Sequence, residues 1–97
     1  MTEHLFRAAA AADIENGYAW YERERVGLGE EFLEEVSVTV NMVLAHPNAF
    51  PIVHRETRRA LVRRFPFALF YRIIDETSSR VSMSGVARSG GSTANDS

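Results

Sequence analysis

The sequence contains no cysteine and no lysine. Without cysteine there is no disulfide framework and no thiolate chemistry, which suits a reducing compartment and points to the cytoplasm. Without lysine, all 11 basic residues are arginine. The planar guanidinium fork pairs bidentately with carboxylate or phosphate and tolerates partial burial better than an ammonium group. Long apolar runs are missing as well. None approaches the roughly 18 residues a membrane-spanning helix needs, so no membrane partner is expected. The opening MTEHLFRAAAAADIE places Glu3 where an export signal wants positive charge, and its alanines run into Asp13 and Glu15. That pattern is read as a helix start.

Motifs for metal, phosphate and nucleophile chemistry are equally scarce. His4, His46 and His54 show no ligand spacing and no HExxH accompanies them, so no metal is expected. Gly27 and Gly29 fall between two helical patterns, and Gly90 and Gly91 lie near the C-terminus. Neither pair forms a phosphate loop, and there is no GxSxG elbow. No cofactor is expected.

What the chain does have is an uneven charge. Residues 1–57 carry four arginines against ten acidic residues, a net of −6. Residues 58–97 carry seven against three, a net of +4, which together give the overall −2. The arginines of the second half concentrate in RRALVRRFPFALFYRI (58–73), beside the most apolar segment.

Hydrophobic periodicity sets out the elements. EHLFR (3–7) reads as a short strand. Ala11, Ile14, Tyr18 and Tyr21 form one apolar stripe, predicting a helix over 8–25 with Trp20 off to the side. VGLG (26–29) breaks it. Phe32, Val36, Val40, Val43 and Leu44 predict a second helix, with Glu30, Glu31, Glu34 and Glu35 in its first turns and Pro47 at its end. From residue 57 the period changes. TRRALVR (57–63) and FALFYRII (67–74) read as strands, the latter apolar enough to be covered on both faces as a central strand. Pro66 belongs to the connection between them. Alternation puts Arg58 and Arg59 on opposite faces, and likewise Arg63 and Arg64. DETSS (75–79) is a turn, and RVSMSGVA (80–87) a half-exposed strand.

The expected fold is therefore α+β, in the order β-α-α-β-β-β, with a helical hairpin packed on a small, mostly antiparallel sheet. Residues 1–87 form one domain, and 88–97, which lack apolar anchors, a flexible C-terminal tail. Tyr18, Tyr21, Phe32, Val36, Val40, Leu69 and Tyr71 are the expected core.

Several pieces in order carry a resemblance: Ala10-x-x-Asp13-Ile14 and Trp20-Tyr21 on the first helix, Gly27-Leu28-Gly29 with Phe32, the link Pro47…Phe50-Pro51, and Arg58 followed by Phe65-Pro66-Phe67…Tyr71-Arg72. Together they resemble the RelE/ParE toxin family of type II toxin–antitoxin modules, most closely its ParE-like, plasmid-stabilisation branch, over residues 5–87. The resemblance implies a toxin neutralised by a cognate antitoxin with an acidic, amphipathic segment. Arg58, Arg59, Arg63, Arg64, Arg72 and Arg88 are then candidates for binding antitoxin or target. It further implies action on DNA gyrase without enzymatic activity and without sequence-specific DNA binding by this chain alone. The alternative is a RelE-like, ribosome-dependent mRNA endonuclease, with Arg63, Arg72 and Arg88 as cations and Tyr71 or His54 handling a proton. The net negative charge favours gyrase, since a ribosome binder should be strongly basic. One departure stands out. The family's last strand runs into a His and then Arg-x-Pro, whereas this chain has Arg88 followed by SGGST. A toxin disarmed there and retaining only antitoxin binding is a third reading.

Overall fold

The computed structural model describes residues 4–77 and 80–88. Strand β1 (His4–Phe6) leads into α1 (Ala8–Glu24), and a tight turn leads to α2 (Leu28–Ala45). A single 3₁₀ turn, Pro47–Ala49, connects to β2 (Ile52–His54), β3 (Thr57–Leu61), β4 (Phe67–Asp75) and β5 (Arg80–Arg88). The strands lie in the order β1-β5-β4-β3-β2. β1 runs parallel to β5, and every other pairing is antiparallel.

The α-hairpin closes through small residues. A Cβ on Gly17 would lie 2.9 Å from two ring atoms of Phe32, so only glycine lets α1 meet α2 this closely. Gly27 occupies the N-cap of α2 at φ 93°, a left-handed conformation that glycine adopts at no steric cost. It has no side chain to cap the helix, and Glu22 of α1 takes over. Its two carboxylate oxygens accept the backbone N–H groups of Gly27 at 3.0 Å and Gly29 at 2.9 Å. This satisfies two of the donors a helix start leaves free and places negative charge at the positive end of the dipole.

Both helices pack on one face of the sheet. Beneath α1 and α2 lie Ala60, Leu69, Tyr71, Val81, Met83 and Val86, all buried with Ala10 and Val43. A second cluster gathers Tyr21, Phe32, Val36, Val62 and Phe65 toward the hairpin turn. Ile14, Val40 and Phe67 pack against both clusters.

The sequence-based expectations need correction at several points. Tyr18, expected in the core, is half-buried, because the α1 stripe runs through Ala10, Ile14, Gly17 and Tyr21 instead. Close helix–helix approach selects the small residues of that row, leaving Ala11 exposed and Tyr18 beside Gly29. Val40 is partly buried. An unforeseen strand, β2, pairs with β3. β3 ends at Leu61, so Arg63 and Arg64 lie in a turn and not on alternating strand faces. β4 is central but covered on one side only, because the hairpin's two helices share a single face. Its Arg72 and Ile74 point away from them and are exposed. Arg88 ends β5 and does not begin the expected tail. Residues 89–97, the rest of that tail, and Ser78 and Ser79 of the DETSS turn lie outside the described residues.

Candidate docking surface

The six candidate arginines separate into two groups by what they touch. Arg58 is held internally. It projects from β3 on the helix-covered face, and its Nη1 donates to the carbonyls of Phe50 at 2.6 Å and Asn48 at 3.4 Å. Its Nη2 donates to Asn48 Oδ1 at 3.5 Å. Arg64 is held as well. Its Nη2 donates to Glu31 at 2.9 Å and its Nη1 to Glu35 at 3.3 Å, tying the β3–β4 turn to α2. Those two carboxylates raise the Arg64 pKa. Its guanidinium also sits 5.7 Å from the centre of the Phe65 ring, and its backbone takes φ 71°. For a non-glycine residue that conformation carries strain, which the surrounding contacts must hold in place.

The other four have no ion pair among the described residues. Arg59 and Arg72 lie on the helix-free face. Arg59 stands directly across from Phe70, and Arg72, two residues along β4, stands across from Ser82. Arg59 Nε is buried without a hydrogen-bond partner among the described residues. The same face carries Leu61, 58% exposed, and Ile74, 47% exposed. Guanidinium groups and large apolar side chains therefore alternate over a sheet face with no covering element among the described residues. Arg63 is exposed in the β3–β4 turn. Arg88 stands opposite Phe67 at the far end of β4, on the helix side.

Two concavities flank this face. At the β2–β3 end a groove of about 560 Å³ brings Arg72 together with His54, Arg55, Glu56 and Thr57. At the opposite end a cleft of about 360 Å³ opens between α1 and β5. Asp13, Asn16, Gly17 and Trp20 line it from the helix, and Phe67, Val86, Ala87 and Arg88 from the sheet. Asp13 fixes the two walls relative to each other, its carboxylate accepting the Val86 backbone N–H at 3.2 Å. Trp20 meets Tyr21 edge to face with ring centroids 5.0 Å apart, yet remains 44% exposed.

These placements bear on the catalytic candidates. Tyr71 is fully buried, and its hydroxyl donates to the Pro47 carbonyl at 2.6 Å. Burial raises its pKa, with the nearby Arg58 charge working the other way. A phenol held in this way does not reach a surface-bound substrate. Arg72 and His54 share the groove. Arg88 is at the opposite end of β4 and on the other face, about 17 Å away along the strand at the usual rise per residue. Arg63, Arg72 and Arg88 therefore do not converge on one reacting centre. No cluster of metal-ligating side chains occurs among the described residues, and no helix there is long and apolar enough to cross a membrane. The arrangement is suited to binding a chain that is both acidic and apolar.

Sequence reasoning missed Glu22 and Asp13. Asp13 acts on a backbone N–H far along the chain, at Val86, which no local pattern signals. Glu22 acts on Gly27 and Gly29 just past its own helix, where the GxG is the one hint that a cap has to come from elsewhere.

No family model matches the sequence, and neither does any curated protein. Solved structures share its fold. A chain of the chromosomal ParDE toxin–antitoxin system from P. aeruginosa superposes with a TM-score of 0.74 at 18% identity, over 91% of this chain and 95% of that one. A chain of the intact E. coli RelBE toxin–antitoxin complex gives 0.64 at 19% identity, over 88% and 93% respectively. The isolated E. coli RelE toxin gives 0.55 at 19%, over 88% and 81%. The fold is the RelE/ParE fold.

Proposed function

We propose that this chain is the toxin component of a type II toxin–antitoxin module, neutralised in the cytoplasm by a co-encoded antitoxin and acting on DNA gyrase in the manner of ParE. The observation that carries the reading is the sheet face that no described element covers, where Arg59 and Arg72 alternate with Leu61, Phe70 and Ile74 on a RelE/ParE fold. An acidic, amphipathic antitoxin segment fits such a face. Its carboxylates form charge-assisted pairs, each contributing roughly 1.5–3 kcal/mol, and its apolar residues cover the exposed side chains. Together these offset the several kcal/mol needed to order a disordered partner. The buried hydroxyl of Tyr71 and the dispersal of Arg63, Arg72 and Arg88 weigh against messenger cleavage. In this reading the toxin domain extends through Arg88, the last residue of β5.

Induction without the antitoxin tests the proposal. Growth arrest, filamentation and a DNA-damage response, together with inhibition of supercoiling by the purified protein, are expected, and antitoxin co-expression relieves them. Translation arrest with ribosome-dependent messenger cleavage would overturn the gyrase assignment. Harmless induction by a protein that still binds its antitoxin would mark a disarmed toxin, with Arg88 in place of the family's His as the first position to restore.

A further inference from the structure

We infer that the cleft between α1 and the end of β5 receives an anchor side chain of the acidic partner, a bulky apolar residue flanked by carboxylates. This rests on the toxin–antitoxin reading and adds where the partner segment ends. The first support is shape. The cleft, about 360 Å³, is at the lower end of the range that ordinarily buries a small ligand, and one large side chain with its flanking backbone fits it. The cleft is lined from α1 by Gly17 as bare backbone, with no side chain to occupy the space. Its walls are the half-exposed Trp20 indole, Phe67 and Val86. An aromatic wall with one face in water is a typical site for a partner's anchor.

The second support is charge. Arg88 lies at the rim with no ion pair among the described residues, while Asp13 is turned to the Val86 N–H. Its guanidinium thus offers a fork for a carboxylate beside the anchor. The third is continuity. On the helix-free face, Leu61 stands across from Ala68, and Ala68 across from Ala87, which also lines the cleft. From Arg72, a segment running along β4 passes this row and reaches the end of the sheet after about 17 Å, five or six extended residues. There it turns over the end of β5, near the exposed Arg63, into the cleft. Arginines 72, 63 and 88, without an ion pair among the described residues, mark that path, whereas Arg58 and Arg64, already bound internally, lie off it.

Trp20 is the only tryptophan in the chain, so its fluorescence reads occupancy of the cleft directly. The probe is the tryptophan-free peptide Ac-ELEEFE-amide, compared with Ac-ELEESE-amide of equal charge, at low salt. The phenylalanine peptide is expected to move Trp20 emission to shorter wavelength and to bind about tenfold more tightly than the serine peptide. Arg88→Gln should weaken it by a similar factor and flatten its salt dependence. Asn16→Phe, which fills the cleft from an exposed helix position, should abolish the shift. Circular dichroism and melting temperature should be unchanged in both variants. Equal affinity for the two peptides, no binding of either, or a Trp20 spectrum unmoved at saturation would each sink the proposal. Growth arrest relieved by an antitoxin would then still stand, which separates this failure from failure of the toxin reading.

Discussion

Arg58 and Tyr71 stand directly opposite each other on β3 and β4, and both donate to carbonyls of the same link between α2 and β2. Tyr71 holds the Pro47 carbonyl and Arg58 those of Phe50 and Asn48. One cross-strand pair thus fixes how the helical hairpin is joined to the sheet.

Tyr71→Phe removes the hydroxyl and leaves a buried carbonyl unpaired. The expected loss is about 1–3 kcal/mol, read as a lower midpoint in urea with an unchanged slope. An unchanged midpoint would show that the link is held elsewhere.

The arginines should divide by experiment as they do by contact. Arg58→Ser should cost about 1.5–3 kcal/mol of stability, because its hydrogen bonds are charge-assisted. Arg59→Ser and Arg72→Ser should each change stability by less than about 0.5 kcal/mol while weakening capture of the antitoxin proposed above. Calorimetry and a salt-dependent binding assay on the same variants check both halves.

Glu22→Ala strips the cap from α2. A loss of about 1–2 kcal/mol is expected, in the range of other helix-cap deletions. Glu22→Gln keeps an acceptor but loses the charge and should fall between. Thermal melts that rank alanine level with wild type would exclude the cap.

Gly17→Ala sets two effects against each other. Alanine gains up to about 1 kcal/mol of helix propensity, but its methyl would sit 2.9 Å from the Phe32 ring. Overpacking of this kind costs about 1–3 kcal/mol, so net destabilisation is expected in a urea titration.

Alkaline pH should unfold the protein through two tyrosines. Burial raises the pKa values of Tyr21 and Tyr71 above 10.0. The folded state therefore holds those protons more tightly than the unfolded chain does. Their contribution is complete below about pH 10 and is lost as pH rises through the folded values. Tyr18 is raised as well, chiefly by the charges of Glu22 and Glu30 at the surface, so its titration responds to salt. The signal from the buried pair should rise together with unfolding. Titration of all three well before unfolding would contradict their placement.

The elements that could be read from sequence are those whose period is long enough to count. Both helices, the central strand and the α+β order follow from apolar spacing and from glycine and proline punctuation. β2 does not, because Ile52, Val53 and His54 are all exposed and show no alternation. Tyr18 falls outside the buried stripe of α1 because close packing against α2 selects Ala10 and Gly17, a row that apolar spacing alone does not single out. Among the arginines, Arg58 and Arg64 look the same in sequence as Arg59 and Arg63. What separates them is a carbonyl at Phe50 and carboxylates at Glu31 and Glu35, which only the folded chain brings within reach.

The pairing of β1 with β5 sets a schedule for synthesis. His4, Leu5 and Phe6 pair with Val81, Ser82 and Met83, so the strand that leaves the ribosome first waits for the one made last in the domain. The α-hairpin and the β3–β4 hairpin, built from local contacts, can form during that wait. The sheet edge that β1 completes, and the Asp13 hydrogen bond to Val86 beside it, cannot. A nascent chain therefore carries finished helices but an unfinished cleft and sheet. Closing the cleft and completing the β1 edge thus wait on the synthesis of β5, however early the helices are finished.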